Sequence, residues 1–142
     1  MRYLVREDIP SVLEMMLLVK DDFAGYKEEE FLEAVHHAIE NQEAIIEQRE
    51  SRCAGLIIFS KDNQELLFLA IHPTYRRQGI SKQLINQCFT HFNEDEEIHV
   101  ITFREGDPKG KAARNCYFSC GFVEAENLIV FDYPCQKLIK RI

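Results

Sequence analysis

Hydrophobic positions along the 142-residue chain change their spacing several times, and each change marks a predicted element. Four segments have apolar side chains three and four residues apart, the spacing that gathers them on one face of a helix. Asp8 is the predicted N-cap of the first helix, and Asp107-Pro108 begins the last one, which Gly121 ends. The four predicted helices are 9–16, 28–41, 80–92 and 107–120.

Strand-like runs fill the other segments, beginning with the alternation of Tyr3 and Val5. Three runs separated by short polar turns follow the second helix, and more runs lie on either side of the fourth. The unbroken apolar stretch 66–71 predicts a strand covered on both faces, and Pro134 is expected to end the pairing of the last strand. The predicted runs are 43–48, 53–60, 65–71, 98–103 and 128–133.

The element order is β-α-α-β-β-β-α-β-α-β-β, without a linker or an internal repeat. This order predicts a mixed α/β fold of the α+β type, with about seven strands in a largely antiparallel sheet flanked by four helices. We expect residues 1–142 to form a single domain, since a chain of this length can bury a full core.

Composition narrows the classes of partner. With 24 acidic and 17 basic side chains the formal net charge is −7, which disfavours nucleic acid and favours a cationic partner. The odd number of cysteines, 5, lacks metal-ligand spacing, so we expect reduced thiols and no metal. No segment is apolar enough for a membrane span or a leader peptide, and we expect a cytoplasmic protein.

The joint "IHPTYRRQGIS", residues 71–81, has the composition of an anion site. Pro73 cannot donate to a sheet, so strand pairing should stop or splay there and leave main-chain groups free. Gly79 permits close approach at the start of the next helix, where amides converge at the positive end of the dipole. Arg76 and Arg77 add guanidinium donors that suit phosphate oxygens. The alternative is a solvated turn that caps a helix.

"LFLAIHPTYRRQGISKQLI" resembles the acetyl-CoA signature of the GNAT N-acetyltransferase superfamily, an apolar strand followed by V/I-x-P and R/Q-x-x-G-x-G/A. Ile71, Pro73, Arg76 and Gly79 match that signature, and Ser81 replaces its final Gly or Ala.

A second stretch, "AARNCYFSCGF", is similar to the superfamily element A-x-x-x-Y-x-x-x-G-F. Ala113, Tyr117, Gly121 and Phe122 are in register with it. Gly110 stands where the family often has Asn, so a hydrogen bond from an Asn to the cofactor arm is not implied here.

The resemblance implies the GNAT acyltransferase fold and transfer of an acetyl group from acetyl-CoA, as acyl-donor substrate, to a primary amine in a ternary complex. It implies Tyr117 as the proton donor to the leaving thiolate and Glu65 as the general base, often through water; His72 is the weaker alternative base. Main-chain groups near Ile71 would hold the oxyanion and the pantetheine arm. The implied cofactor-binding residues are Leu69, Ala70, Ile71, Arg76, Arg77, Gln78, Gly79, Ile80 and Ser81.

Asp21, Asp22 and Tyr26 are candidates to face the acceptor, for which a cationic small molecule is the leading class. Cys116 and Cys120 are expected to pack rather than to react. Two alternatives remain open: a non-catalytic acyl-CoA-binding sensor, and a mixed α/β domain that binds another phosphate ligand. Either a monomer or a homodimer is compatible, with the C-terminal edge of the sheet as a candidate dimer contact.

Overall fold

The computed structural model describes residues 1–142 and contains seven strands and four helices, as predicted. The strands are β1 (Arg2–Tyr3), β2 (Ala44–Arg49), β3 (Arg52–Ser60), β4 (Glu65–Ile71), β5 (Glu97–Phe103), β6 (Val123–Val130) and β7 (Tyr133–Arg141). The helices are α1 (Ile9–Val19), α2 (Glu28–Asn41), α3 (Ile80–Phe89) and α4 (Lys111–Ser119).

All strands form one open sheet in the order β1-β2-β3-β4-β5-β7-β6. Every neighbouring pair is antiparallel except β4 and β5, which are parallel. One core cluster lies between helices α1 and α2 and one face of the sheet. The second lies between α3 and α4 and the opposite face. The mixed, largely antiparallel fold class is therefore confirmed.

The strand β4 packs on both faces, as predicted, but less completely than β3. Leu66 belongs to one core cluster and Ala70 to the other. Leu67 is nevertheless 50% exposed, whereas residues 53–59 of β3 are all buried. The burial of β4 is incomplete because it lies beside a gap in the sheet, which apolar composition alone does not indicate.

The fourth helix begins later than predicted. Asp107 accepts from the Lys109 amide with its carboxylate (3.0 Å) and from the Gly110 amide with its carbonyl (3.1 Å), so it closes a separate turn. Gly121 does follow the helix in the left-handed region, at φ +98°. Asp8 precedes α1, but its carboxylate does not cap the helix, because Arg2 holds it over 2.8 Å.

The predicted last strand, 128–133, is a hairpin. Phe131 and Asp132 form the turn between β6 and β7, with φ of 49° and 62°. Pro134 does not end pairing, since it lies opposite Ile129 of β6. Proline is tolerated here because β5 pairs with β7 only as far as Cys135. No strand lies on the side where the N–H of residue 134 would donate.

No helix has the length and apolarity needed to cross a bilayer. No group of three or more His, Cys, Asp or Glu side chains is arranged to hold a metal ion.

Candidate active site

A gap between β4 and β5 divides the sheet. The two parallel strands pair only at Glu65 with His99 and at Leu66 with Val100, and then diverge. The predicted splay is present, but it opens about five residues earlier than the end of the strand at Ile71. Most of one edge of β4 therefore has no partner strand.

A β-bulge lies where β4 leaves β5. The register with β3 shifts between Ile58 and Phe59, so that Ile58 pairs with Phe68 and Phe59 with Leu66. Leu67 is the extra residue, and its unpaired position accounts for its exposure.

The bulge decides which main-chain groups of β4 face the gap. The His72 amide donates to the Ala54 carbonyl over 2.9 Å and thus points toward β3. Main-chain groups of a strand alternate in direction, so Ala70 also points toward β3. The N–H and C=O groups of Leu69 and Ile71 point into the gap. Of the three predicted contacts in this strand, these two offer free main-chain groups.

The turn after β4 carries a run of free amides. A 3-10 turn, Pro73–Tyr75, ends at Arg76, and Arg77 and Gly79 have left-handed φ angles of 62° and 78°. The first amide of α3 with a main-chain acceptor is that of Gln83, which donates to Gly79. The amides of residues 77–82 donate to no main-chain carbonyl, and this set of donors fits a pyrophosphate.

Side chains around this turn differ in their availability. A Cβ built on Gly79 would meet nothing within 4 Å, so that position opens to solvent or ligand. Ile80 is buried and offers only its amide. Arg76 lies 3.6 Å from Asp22, with both side chains about half exposed, which leaves the guanidinium free to exchange partners.

Tyr117 lies on α4, which packs against α3 near this turn. Ser81 lies close enough to Cys116 to oppose the rise in the pKa of its thiol, so the residue beside Tyr117 lies near the start of α3. Tyr117 is 5% exposed, and its hydroxyl has no hydrogen-bond partner in the protein but keeps a small contact with solvent. Burial raises the pKa of the Tyr117 phenol, so the phenol stays protonated across the neutral range.

The two cysteines beside Tyr117 are packing residues. Cys120 is buried and belongs to the core cluster, with Cys116 packed against it. Burial raises the pKa of Cys116 to about 11, outweighing the opposing effect of Ser81. A thiol that stays protonated is a poor nucleophile.

Glu65 lies at the closed end of the gap, where its carboxylate is 3.6 Å from the imidazole of His99. Both side chains are about a quarter exposed, so water reaches them. Sequence reasoning missed His99, because the parallel pairing that brings it beside Glu65 has no local signal. His72 is buried, and its Nδ1 accepts from the Thr74 amide over 3.1 Å, which occupies the lone pair that a base would need.

A pocket of about 720 Å³ lies at the α1–α2 connection. Asp21 and Tyr26 line it, whereas Asp22 turns to Arg76 instead. Lys109, from the β5–α4 connection, lines it too, so the pocket extends from the α1–α2 connection to the segment after β5.

The mouth of this pocket has features that the sequence did not indicate. Asp21 and Glu28 are balanced by Lys20 and Lys109, so its lining carries both signs of charge. Phe131, 69% exposed, packs its ring over Gly25, where an added Cβ would come within 2.6 Å of the ring.

Gly110, the departure from the second motif, has a steric cause. A Cβ at this position would lie 2.7 Å from the Cβ of Phe103, so the helix start packs directly on the end of β5. An Asn would need this contact to open.

Comparison with known proteins agrees with this architecture. A sequence family described as "Acetyltransferase (GNAT) domain" matches residues 19–133. Among the curated proteins, no sequence matches the chain.

Solved structures share the fold at low identity. An N-acetyltransferase from Staphylococcus aureus Mu50 has a TM-score of 0.73 at 17% identity, over 98% of each chain. The NatC complex bound to Gag peptide and CoA has a TM-score of 0.72 at 21% identity, over 97% of this chain and 92% of that one.

The microcin C7 self-immunity acetyltransferase MccE, solved with acetyl-CoA and AMP, has a TM-score of 0.70 at 12% identity, over 99% of this chain and 90% of that one. The family match covers most of the sequence, and the splayed strands and free amides agree with it. The chain therefore belongs to the GNAT acetyltransferase family and is an acetyl-CoA-dependent acyltransferase.

Proposed function

We propose that this protein, as a single domain over residues 1–142, transfers the acetyl group of acetyl-CoA to a primary amine of a cationic small molecule. The observation that carries the proposal is the unpaired edge of β4, which leads directly to the free amides at the start of α3. An extended pantetheine arm and a pyrophosphate need these two features in this order.

The donor lies along β4 in this proposal. Its pantetheine amides pair with the N–H and C=O groups of Leu69 and Ile71, as an added strand would. Its pyrophosphate accepts hydrogen bonds from the amides of residues 77–82, and Arg76 and Arg77 supply neutralising charge.

The reaction is a direct attack of the neutral amine on the thioester carbonyl. The carbonyl oxygen becomes an oxyanion, held by an amide that faces the gap, for which the Ile71 N–H is the candidate donor. The C–S bond then breaks, and the thiolate takes a proton from the Tyr117 phenol. Water returns a proton to Tyr117 after the products leave.

Glu65 acts as the base through water. It precedes Leu69 by four residues, about 13 Å along a strand, which is too far for direct contact with an amine at the thioester. Its partial exposure beside His99 allows a water chain along the gap. The Glu65 carboxylate accepts the amine proton by this route.

The acceptor enters from the α1–α2 pocket. The net charge of −7 attracts amines, and the carboxylates of Asp21 and Glu28 can pair with a second cationic group. A peptide N-terminus is the second candidate. Phe131 and Leu17 are 69% and 68% exposed, an apolar mouth that suits a peptide, and the NatC structure was solved with a peptide.

An acceptor panel with detection of the released thiol tests the proposal. The panel compares diamines and polyamines with peptides whose N-terminus is either free or acetylated, each at the same concentration. We expect turnover with the small cationic amines to exceed turnover with the peptides. Faster turnover with free peptides would move the acceptor to protein N-termini, and CoA binding without turnover on any amine would overturn the proposal.

A further inference from the structure

Residues 77–79, in the turn after β4, have few main-chain hydrogen bonds of their own to fix their conformation. The amides of Arg77, Gln78 and Gly79 donate to no main-chain carbonyl, and two of these residues have left-handed φ angles. A turn without its own main-chain bonds samples many conformations unless neighbouring elements fix it.

The hairpin of β2 and β3 lies beside this turn. Its tip is a two-residue turn at Glu50 and Ser51, with φ of 53° and 62°, flanked by the pair Arg49 and Arg52. The last pair between β3 and β4 is Gly55 with Ile71, so the first residues of β3 extend past the end of β4. The hairpin tip therefore stands next to the residues that follow β4.

Two side-chain hydrogen bonds join the hairpin tip to the turn. The Tyr75 hydroxyl donates to the Glu50 carboxylate over 2.6 Å, and the Arg49 guanidinium donates to the Gln78 side-chain oxygen over 2.8 Å. Tyr75 is 6% exposed and packs edge-on against His72, with ring centroids 5.4 Å apart. The bond from Tyr75 attaches the turn just before Arg76, and the bond to Gln78 attaches it just after Arg77.

We propose that the tip of the β2–β3 hairpin, through Glu50 and Arg49, positions the turn that offers the free amides of residues 77–82, here called the pyrophosphate turn. The hairpin tip would thereby determine the preference for donors that carry a pyrophosphate. This inference rests on the proposed placement of the donor along β4. Glu50, Tyr75 and Arg49 are positioning residues, because they act through the amides of the turn and do not contact the reacting atoms.

Pre-ordering of a binding loop lowers the entropic cost that a ligand meets on binding. That benefit is limited to the part of the donor that contacts the loop. Pantetheine alone contacts β4 and ends before the turn, so its binding is independent of the hairpin tip.

The experiment compares two donors in Tyr75→Phe, Glu50→Ala and the double variant. We expect the KM for acetyl-CoA and the Kd for CoA to rise about three- to tenfold, the usual effect of losing one net hydrogen bond. The KM for S-acetylpantetheine and the kcat at saturating donor should stay at the wild-type values. The double variant should lose no more than either single variant.

Tyr133→Phe is the matched control. The Tyr133 hydroxyl also donates to a carboxylate over 2.6 Å, that of Asp107, but away from the pyrophosphate turn. Its Kd for CoA should equal that of the wild type.

Each contrary result has a separate meaning. Equal losses with both donors would indicate general destabilisation and overturn the inference, as would an unchanged Kd for CoA in Tyr75→Phe. Calorimetry with CoA needs no acceptor, so a wild-type protein that binds CoA but acetylates no amine would contradict the proposed reaction and leave the donor comparison to decide the inference.

Discussion

The two sides of the candidate active site differ in the chemical groups that form them. The donor side consists mainly of main-chain groups, namely the free edge of β4 and the amides of residues 77–82. The acceptor side consists of side chains from the α1–α2 connection, the β5–α4 connection and the β6–β7 turn. Main-chain sites tolerate many sequences provided that the backbone path is kept, whereas side-chain sites change with each substitution.

Tyr117 is an exception to this division, because the proposed mechanism assigns its side chain the protonation of the leaving thiolate. We expect Tyr117→Phe to lower kcat about hundredfold, the usual scale for loss of a general acid, with the Kd for CoA unchanged. Stopped-flow measurement of thiol release against calorimetric CoA binding separates the two quantities. An unchanged kcat would remove Tyr117 from the mechanism.

The pH profile checks the same residue. Because burial raises the pKa of Tyr117, the phenol stays protonated up to and above pH 10, near its ordinary value. We therefore expect kcat to rise with pH as the amine loses its proton and to show no fall before about pH 10. Since the folded protein holds this proton more tightly than the unfolded chain does, the contribution of Tyr117 to stability should be lost only above that pH.

Gly79→Val tests the main-chain nature of the donor side. The side chain would enter open space in front of the amides, so we expect the Kd for CoA to rise at least about tenfold, with backbone strain of about 1–3 kcal/mol. Gly106→Val is the matched control, since Gly106 has φ of 88° and equally open surroundings in another loop. Equal Kd values in the two variants would contradict the anion site.

Glu65→Gln tests the distant base. We expect kcat/KM near neutral pH to fall about tenfold, less than for a base in direct contact, and to approach the wild-type value at high pH, where the amine is already neutral. Glu97→Gln, a change at the start of the neighbouring strand, serves as the control. A loss that persists at high pH would assign Glu65 a structural role beside His99.

The smallest effects should come from single charges on the acceptor side. Asp21→Asn should raise the KM for a cationic amine about threefold, the scale of one exposed ion pair, without changing the Kd for CoA. Asp22→Asn should leave the amine KM unchanged, because Asp22 faces Arg76 rather than the pocket. A raised amine KM in Asp22→Asn but not in Asp21→Asn would instead assign the contact with the acceptor to Asp22.

The backbone path of the donor side could be predicted from the sequence because its signals are local. Gly79, Pro73 and the helix that follows are adjacent in sequence, and their conformational preferences determine the path of the main chain. The helix α2 and the strand β4 agree with the predicted bounds for the same reason, since strong spacing and clear turns enclose them.

The remaining features depend on pairing between distant segments. His99 reaches Glu65 only through the short parallel contact of β4 and β5. Phe131 reaches Gly25 only because the sheet places the last hairpin beside the first loop. The fuller burial of β3 than of β4 follows from the order of strands in the sheet, which hydrophobic spacing does not encode.

The bulge at Leu67 makes strand register a determinant of ligand access. If Leu67 paired with β3 in a regular ladder, the direction of every later main-chain group would reverse relative to β3. The groups of Leu69 and Ile71 would then be taken up by β3, and those of Ala70 would face the gap. Deleting Leu67 would instead make the pairs of Leu66 and Phe68 consecutive and keep the amide pattern offered to the donor, so the strand has one residue whose loss the site tolerates.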